Sequence, residues 1–302
     1  MTERASIVAL GEVLWDVFPD GPRFGGAPAN FACSAAELAG KRIDVFMVGA
    51  VGGDDLGRRA VESLRQHGVD PSYIAVVEQP TGQVLVTFDA SGHPGYEIAL
   101  DTAWDNVPSS DALLQLAGRA DAVCFGTLAQ RSDTTRRTIH EFLQALPASC
   151  LRVLDINLRP PFWSESVAIE SLHLANVLKL NDGELNTLAE MLMWKGTERE
   201  LLRQLIDQFS LQVVALTRGD RGALVMASSG ESSDSPGEST AVVDTVGAGD
   251  AFTAALAVGL LAGLPLSAIN TWANRVAAFV CSQPGATPTF PAELRLDKTC
   301  AL

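Results

Sequence analysis

Short, continuous apolar segments recur along the chain, and segments of helix length lie between most of them. A fully apolar strand is buried on both faces, whereas a strand with one exposed face alternates apolar and polar residues. Apolar strands that alternate with helices therefore predict a mostly parallel sheet that helices cover on both sides. The apolar segments are residues 7–10, 45–48, 122–125, 153–156, 177–180 and 213–216. The predicted helices are residues 28–39, 56–67, 134–146, 184–193, 198–209, 251–262 and 266–282.

Two parts of the sequence do not follow this alternation. Residues 13–18 have strand composition but come directly after the first apolar segment. Residues 84–88 and 96–100 predict a β-hairpin, because a turn with a Ser-Gly pair at 90–93 separates them. These strands must form a second, smaller sheet, and a small sheet at the edge of an α/β domain is expected to act as a lid over a cleft. Residues 228–239, rich in Ser and Gly, predict an exposed loop.

The composition restricts the partners and the location of the protein. A net charge of -14 leaves no basic field that would hold nucleic acid or an anionic membrane surface. The longest apolar segment, 251–264, is too short to span a bilayer. Widely spaced cysteines without a Cys-x-x-Cys pair indicate reduced thiols in a cytoplasmic protein, and neither a zinc site nor a disulfide framework. The cysteines are Cys33, Cys124, Cys150, Cys281 and Cys300.

A glycine-rich segment with the sequence Asp-Thr-Val-Gly-Ala-Gly-Asp occupies residues 244–250, between a strand-like segment at 241–243 and a predicted helix. Gly247 and Gly249 allow the backbone to turn sharply and to approach a ligand closely. The amides of this turn would converge at a helix N-terminus, which favours a phosphate. Asp250 would face the same point and could accept the proton of a hydroxyl that attacks phosphorus. The alternative is that Asp250 only caps the helix, and the helix dipole alone does not separate the two interpretations.

A glycine pair near the N-terminus precedes another predicted helix. Gly25 and Gly26 stand before Pro28, a residue that is favoured in the first turn of a helix, and they let a sugar lie against the backbone. Asn30, about one turn into the helix, can donate and accept hydrogen bonds with neighbouring hydroxyls. Asp16 lies near the end of a strand, and its two carboxylate oxygens could each accept a hydrogen bond from one of two neighbouring sugar hydroxyls. Taken alone, these features are equally those of a helix-entry turn and an exposed strand end.

Three motifs together resemble the PfkB, or ribokinase-like, carbohydrate kinases. They are Gly-Glu-x-x-x-Asp at 11–16, Gly-Gly-Ala-Pro-Ala-Asn at 25–30 and Asp-Thr-x-Gly-Ala-Gly-Asp at 244–250, and the resemblance runs nearly from end to end. It implies a single kinase domain over 1–302, built as a three-layer α/β/α sandwich with a mostly parallel central sheet and a small β-sheet lid. The implied lid segments are about 12–26 and 80–104.

The resemblance also implies roles for individual residues in the reaction. Asp250 is similar to the catalytic base of the family, and Gly247, Ala248 and Gly249 are similar to its anion hole. Trp104 follows the hairpin and would cover the sugar from the lid. The implied substrate-binding residues are Asp16, Gly25, Gly26, Asn30, Trp104, Asn157 and Arg159.

ATP is the implied phosphoryl donor, with Mg²⁺ as cofactor. Arg159 would hold a phosphate or a substrate oxygen, unless it forms only a surface ion pair. Asn181 and Glu184 resemble the Asn-x-x-Glu motif that organises Mg²⁺ through water, and they equally fit a helix N-terminal cap. Arg218 is the implied positive charge beside the phosphates, although residues 217–219 also suit a simple glycine turn. The implied ATP-binding residues are Asn181, Thr217, Arg218, Gly219 and Asn274.

Within the family the sequence is most similar to fructokinases, which implies D-fructose as substrate and fructose 6-phosphate as product. The nearest alternative is 2-keto-3-deoxygluconate kinase, because Arg159 would serve a substrate carboxylate. A nucleoside kinase is a further alternative, and a non-catalytic sugar or nucleotide sensor is the alternative of a different class. The resemblance leaves K⁺ activation as a hypothesis, and the lid predicts a homodimer. The residues implied in a K⁺ site are Asp244, Val246 and Gly285.

Overall fold

Strand pairing builds one large and one small sheet. The computed structural model describes residues 4–88 and 94–296, without the side chains of residues 88 and 94. The predicted turn at 90–93 and Cys300 therefore lie outside the described residues. The strands are β1 (Ala5–Leu10), β2 (Leu14–Phe18), β3 (Gly21–Gly25), β4 (Ile43–Gly52), β5 (Asp70–Val77), β6 (Gly82–Phe88), β7 (Pro94–Ile98), β8 (Ala122–Phe125), β9 (Leu151–Asp155), β10 (Val177–Asn181), β11 (Val213–Thr217), β12 (Ala223–Ala227) and β13 (Ser232–Ser235).

The large sheet has the strand order β13-β12-β11-β10-β9-β8-β1-β4-β5. Its pairings are parallel from β5 across to β11, and β12 and β13 are added antiparallel at one edge. Successive residues of β1 face opposite sides, since Ile7 and Ala9 belong to one core and Val8 and Leu10 to the other. Burial on both faces is the physical reason that these strands are continuous apolar segments.

Helices cover both faces of the large sheet. One core packs α1, α2, α8 and α9 against the sheet, and the second core packs α3 to α7 against the opposite face. The predicted three-layer α/β/α sandwich with its mostly parallel sheet is confirmed. The helices are α1 (Ala27–Ala39), α2 (Asp55–Gln66), α3 (Asp111–Ala117), α4 (Asp133–Gln144), α5 (Glu165–Leu174), α6 (Asp182–Met191), α7 (Glu198–Phe209), α8 (Ala248–Leu261) and α9 (Leu266–Cys281).

The small sheet, called the lid sheet below, has the order β3-β2-β6-β7. Its strands fall within the two segments that the sequence assigned to a lid. The β6–β7 pair is the predicted hairpin, with Val84 opposite Ile98, whereas β2 and β6 run parallel. The sheet is fastened to α2, because the Trp15 indole N–H donates to the Leu56 carbonyl at 3.0 Å. It is fastened again where Thr81 Oγ1 donates to Asp54 Oδ1 at 2.7 Å.

Two local predictions were wrong. The exposed loop predicted at 228–239 contains β13, which pairs with β12 although it consists of serine and aspartate. An exposed edge strand needs little apolar surface, so its composition resembled that of a loop. The strand-like segment 241–243 forms no strand, and Val242 and Val243 are 65% and 62% exposed. Helices α3 and α5 and strand β5 were not predicted.

The topology brings the functional motifs to one edge of the large sheet. Parallel strands end at the same edge, where α/β folds commonly bind their ligands. The chain leaves β1 for the lid sheet at this edge, and α1, α6 and α8 begin there. Within residues 4–88 and 94–296, the longest helix has 16 residues, and no helix is both long and apolar enough to cross a membrane.

Candidate active site

A cavity of about 1340 Å³ lies between the lid sheet and the carboxyl edge of the large sheet. Ligand pockets usually enclose roughly 300–1,000 Å³, so this cavity has room for two small molecules side by side. The lid contributes Leu14, Asp16, Phe18, Tyr96 and Ile98 to its lining. The first turns of α1, α6 and α8 and one face of α9 line the remainder.

Asp250 lies in the first turn of α8, half-buried at the wall of the cavity. The N-cap position of this helix is Gly247, and Asp250 does not occupy it. Asn30 Nδ2 donates to Asp250 Oδ2 at 2.9 Å, which joins the two motifs that lie far apart in the sequence. The carboxylate therefore points toward the sugar-side motif, and the interpretation of Asp250 as only a helix cap has no support.

Gly247 provides the turn that opens α8. Its φ of 80° is left-handed, and a Cβ at this position would lie 2.5 Å from the Ala286 carbonyl oxygen. Glycine is the residue that meets both constraints. The amides of Ala248, Gly249 and Asp250 belong to the first turn of the helix, where N–H groups have no carbonyl four residues earlier within the helix. The Ala248 amide donates to the Thr245 carbonyl at 3.4 Å, whereas the amides of Gly249 and Asp250 have no backbone acceptor among the described residues. These two donors and the helix dipole suit a phosphoryl group.

Burial and, after it, the nearby Asp155 carboxylate raise the pKa of Asp250, which is about 6 overall. The hydrogen bond from Asn30 and the charges of Lys179 and Arg159 lower the pKa and offset part of that effect. A carboxylate with a pKa near 6 is ionised at neutral pH and binds a proton more readily than an ordinary aspartate. These are the properties that a general base requires.

Lys179 supplies a buried positive charge behind the first turn of α8. Its Nζ donates to both carboxylate oxygens of Asp155 at 3.1 Å, and both side chains are at most 9% exposed. The Thr253 hydroxyl donates to the same carboxylate at 2.9 Å. Nζ also lies 3.0 Å from the position that a Cβ of Gly249 would take. Burial lowers the pKa of Lys179, but Asp155, Glu184 and Asp250 raise it more, so the lysine remains charged.

The sugar-side motif lines the cavity opposite Asp250. Asp16, Gly26 and Asn30 are lining residues, whereas Gly25 is not. Gly25 instead leaves space for Asp16, since its Cβ would lie 2.8 Å from Asp16 Oδ2. Burial and, after it, the charge of Asp244 raise the pKa of Asp16, Arg23 lowers it, and the pKa is about 6 overall. Asn30 Oδ1 is buried and has no hydrogen-bond donor among the described residues, so it is available to a hydroxyl.

The segment after β9 lies between the two halves of the cavity. Asn157 and Arg159 both line it, and Asn157 has a left-handed φ of 41°. Arg159 is exposed, and its backbone carbonyl accepts from the Phe162 amide at 2.7 Å, whereas its guanidinium has no hydrogen-bond or salt-bridge partner among residues 4–88 and 94–296. The surface ion pair considered for Arg159 is therefore not observed there. An unpaired guanidinium at the cavity wall suits an anionic or oxygen-rich ligand.

Asn181 and Glu184 form a capping box at the start of α6, as the structural interpretation predicted, and both also line the cavity. Glu184 is 6% exposed, and its two oxygens accept from the amides of Leu158 at 3.1 Å and Asn181 at 2.8 Å. Direct ligation of a metal would compete with these bonds, whereas contact through water would not. In the described ranges no group of three or more acidic, His or Cys side chains is arranged to hold a metal ion.

The prediction for Arg218 was wrong. Its guanidinium forms salt bridges with Glu198 and Asp234, and Arg218 does not line the cavity. These partners lie on α7 and on the unpredicted strand β13, and such contacts between distant segments are not visible in the sequence. Lys179 is the cation that the structure places next to the α8 turn. Thr217, Gly219 and Asn274 do line the cavity, and Asn274 Nδ2 donates to the Asn270 carbonyl at 2.8 Å.

Trp104 does not cover the cavity, contrary to the sequence-based prediction. It is fully buried in a short 3-10 turn, Ala103–Asp105, and the Arg131 guanidinium stacks on its ring at 3.8 Å. Arg131 also pairs with Asp105 at 2.7 Å and donates to the Ala99 carbonyl. The chain has already returned to the core at this point, so the indole fastens the end of the lid to the large domain. Tyr96 and Phe18 are the aromatic residues of the lid that face the cavity.

Asp244 holds together the loop considered as a K⁺ site, but its side chain does not line the cavity. Its Oδ1 accepts from the Val246 amide at 3.0 Å, and Oδ2 accepts from the Gly285 amide at 3.2 Å. Val246 lines the cavity, and Gly285 has a left-handed φ of 78°. The three residues are thus adjacent, and the role of the loop in cation binding remains a prediction.

Comparison with known proteins agrees with this arrangement. Residues 17–293 match the family model described as pfkB family carbohydrate kinase, which covers most of the chain. The chain belongs to the pfkB family of carbohydrate kinases. The resemblance noted from the three motifs is thereby confirmed, and the chain is a phosphotransferase that acts on a sugar hydroxyl.

Among its relatives, a fructokinase of Salmonella typhimurium is 29% identical and aligns over 98% of this chain and 99% of its own length. A putative sugar kinase of Pyrococcus horikoshii is 30% identical over 88% of this chain and 83% of its own length. A structure of a P. horikoshii sugar kinase with ATP has a TM-score of 0.79 and 28% identity, with 93% of this chain and 94% of that chain covered.

The fructokinase of Vibrio cholerae, in a form with fructose, ADP and calcium ion bound, has a TM-score of 0.79 to this kinase. The two sequences are 25% identical, and the match covers 96% of this chain and 97% of that chain. The ribokinase-like fold with its lid is therefore shared along nearly the whole length.

Glu12 is a residue of the cavity to which the sequence analysis gave no role. It lies where the chain leaves β1 for the lid, and it is only 2% exposed. Burial and, less strongly, the Asp250 carboxylate raise the pKa of Glu12, the amides of Glu12 and Ala27 and the charge of Arg159 lower it, and the pKa is about 7 overall. Its signals in the sequence were its place in the Gly-Glu-x-x-x-Asp motif at 11–16 and a charged residue beside apolar ones after the first strand.

Glu12→Gln is expected to stabilise this kinase at high pH. A carboxyl whose pKa rises from 4.5 to about 7 on folding binds protons more tightly in the folded state, so stability is lost as the pH rises through about 7. Removing that carboxyl should increase the free energy of unfolding by about 2–3 kcal/mol at pH 8 and change it little at pH 4.5. Urea unfolding at the two pH values measures the difference.

The matched control is Glu97→Gln, which removes an exposed carboxylate of β7 on the same face of the lid sheet as Leu85. It should leave stability nearly unchanged at both pH values. Equal stability of Glu12→Gln and the wild type at pH 8 would show that burial of Glu12 carries no cost.

Proposed function

We propose that this kinase transfers the γ-phosphoryl group of ATP to the primary hydroxyl of D-fructose and produces fructose 6-phosphate. The observation that carries the proposal is the position of Asp250. It stands on the first turn of α8, beside free backbone amides, and it is hydrogen-bonded to Asn30 of the sugar-side motif. A base, an anion site and a hydroxyl-binding group thus meet at one point in the cavity.

The sugar would bind on the lid side of the cavity and ATP on the other. Asp16, Gly26 and Asn30 would contact the sugar hydroxyls, because these residues line the cavity and Asn30 Oδ1 has no other described partner. Asn181, Thr217, Gly219 and Asn274 would line the binding site of the nucleotide. The two substrates would then meet at the α8 turn, between the two halves.

In the proposed reaction, Asp250 accepts the proton of the substrate hydroxyl as its oxygen attacks the γ-phosphorus. The bond between that phosphorus and the β–γ bridging oxygen breaks, and ADP leaves with the electron pair. The amides of Gly249 and Asp250 would bind the transferring group, and Lys179 would add a fixed positive charge behind them. The buried lysine is held by Asp155 and costs no reorganisation during the reaction.

The residues present also fit a magnesium ion bound through water. Glu184 would hold waters of the ion at the cavity wall, since its oxygens already accept from two backbone amides. Magnesium commonly retains several waters and supplies charge neutralisation for the phosphates when bound.

The observation that supports a K⁺ site is the loop held together by Asp244. Equal rates in sodium and potassium buffers would contradict a role for potassium.

An ADP-release assay over a panel of acceptors tests the substrate. Fructose is expected to give the highest kcat/KM among fructose, 2-keto-3-deoxygluconate, ribose and adenosine. The second candidate is 2-keto-3-deoxygluconate, because the unpaired guanidinium of Arg159 would bind its carboxylate. Arg159→Gln separates the two, since it should reduce kcat/KM for the acid far more than for fructose if the acid is the substrate. Ligand-induced stabilisation without turnover of any sugar would support a sensor instead.

The proposal includes a homodimer formed through the lid sheet. Its edge strands β3 and β7 offer unpaired backbone groups, and Leu85 on the opposite side from the cavity is 46% exposed. Light scattering should give twice the 31.9 kDa chain mass, and Leu85→Glu should shift the protein toward monomer. A monomer at micromolar concentration would contradict this part.

The buried free thiols of Cys33, Cys124 and Cys150 fit a cytoplasmic location for an ATP-dependent enzyme.

A further inference from the structure

A small polar cavity lies behind Asp250, separate from the substrate cavity that it adjoins. Its volume is about 10 Å³, which corresponds to room for one water molecule. Glu12, Asp155, Asn157, Thr127 and Asp250 are the polar residues of its wall. Apolar side chains such as Phe31 and Phe125 complete the wall, so a water here would bond to the polar groups alone.

Glu12 has an oxygen that is free to accept a hydrogen bond in this place. Its Oε2 is buried and has no donor partner among residues 4–88 and 94–296. A buried carboxylate oxygen without a partner is costly, and such groups in native structures commonly mark a water or a functional site. Glu12 lines both the small cavity and the substrate cavity, as does Asp250, so the two carboxyl groups share both spaces.

We propose that Glu12 receives, through one water between the two carboxyl groups, the proton that Asp250 removes from the substrate hydroxyl. This rests on the proposed function. Asp250 gives its proton to the water, the water gives another proton to the Glu12 carboxylate, and Asp250 becomes a carboxylate again. Glu12 then releases the proton to solvent through the open substrate cavity after the products leave, and the number of protons is conserved.

The other titratable groups around the pair cannot take this role. Both oxygens of Asp155 accept from Lys179, and one also accepts from Thr253. Lys179 is a cation paired with Asp155, the guanidinium of Arg159 offers no acceptor atom, and burial raises the pKa of the Cys124 thiol well above its usual range. Glu12 is left as the acceptor. Burial and, less strongly, the charge of Asp250 raise the pKa of Glu12, which is about 7 after the opposing effects of two backbone amides and Arg159, so Glu12 can accept a proton near neutral pH.

The pH dependence of kcat tests the relay. If both carboxylates must be ionised, log kcat of the wild type should fall with a limiting slope of two below about pH 6. Glu12→Gln should give a slope of one, with a midpoint near 6, and a kcat that is roughly ten-fold lower at pH 8. The KM for the sugar should change less than about two-fold, because binding groups are retained. Glu12→Asp, which still titrates, should restore part of kcat.

Controls separate the relay from a structural role. Glu97→Gln removes an exposed carboxylate from lid strand β7, and it should retain the slope of two. Urea unfolding shows whether Glu12→Gln is folded at the pH of each rate measurement. A slope of two and an unchanged kcat in folded Glu12→Gln would overturn the proposal.

A second measurement does not depend on turnover. In protein with ¹³C-labelled glutamate carboxyl groups, the Glu12 signal should titrate near pH 7, and its midpoint should fall in Asp250→Asn because the neighbouring charge is gone. An unchanged midpoint would show that the two carboxyls are not coupled and would overturn the relay. If no sugar is phosphorylated, the proposed function fails by itself, and this titration still decides whether the pair exists.

Discussion

Asp250→Asn is expected to reduce kcat by roughly 10³-fold while the protein remains folded and still binds ATP. The amide cannot accept a proton from the attacking hydroxyl. It retains the shape of the carboxylate, and its oxygen can still accept the hydrogen bond from Asn30 that is 2.9 Å long in the wild type. A 10³-fold loss corresponds to about 4 kcal/mol of transition-state stabilisation.

The measurement should separate binding from chemistry. The KM for sugar and the Kd for ATP are expected to remain within a few-fold, because the backbone amides of the α8 turn are unaffected. Unfolding should show equal or greater stability at neutral pH, since burial raises the pKa of this carboxyl and disfavours its charge. A kcat within a few-fold of the wild type would show that Asp250 is not the base.

Lys179→Met is expected to reduce both stability and rate. Its removal leaves the Asp155 carboxylate, 6% exposed, without its cation, and loss of one partner of a buried ion pair costs about 3–5 kcal/mol. The rate should fall by roughly 10²-fold, because the positive charge beside Gly249 is lost where negative charge develops. The pKa of Asp250 should also rise, because Lys179 lowers it, and the acid limb of the rate profile should move to higher pH.

The double variant Lys179→Met/Asp155→Asn separates the two effects. It removes both charges, so no uncompensated carboxylate remains in the core, and most of the lost stability should return. The rate should not return, because the cation is still absent from the α8 turn. Recovery of the rate together with stability would mean that Lys179 acts only by holding the fold.

The sequence predicted the layers of the fold because their signals are local. Burial on both faces makes a strand such as β1 apolar throughout, and this pattern is visible without knowledge of its neighbours. Glycine turns at helix entries also leave short motifs that singled out Asp250, Asn30 and Gly26, but the resemblance to the family supplied their roles, which remain predictions. Edge strand β13 was missed, because its residues are paired through the backbone and need no apolar side chains.

The errors in the site come from contacts between segments that are distant in sequence. Trp104 was expected over the sugar, but it is buried in the core, where the Arg131 guanidinium stacks on its ring. Arg218 was expected at the phosphates, yet its partners stand on α7 and β13. A lysine within the apolar strand β10 did carry a signal, because a buried charge requires a buried partner. Which carboxylate pairs with Lys179 depends on the pairing of β10 with β9.

The bond between Asn30 and Asp250 joins residues 220 positions apart. A ribosome that adds 5–20 residues per second needs roughly 10–40 s to extend the chain from one to the other. During that interval α1 and the face of β1 that bears Ile7 and Ala9 have been made, but α8, which packs against α1, has not. The growing polypeptide therefore carries an uncovered apolar surface for most of its synthesis. The N-terminal third should consequently determine how strongly the growing chain binds chaperones. This binding should end when α8 leaves the exit tunnel.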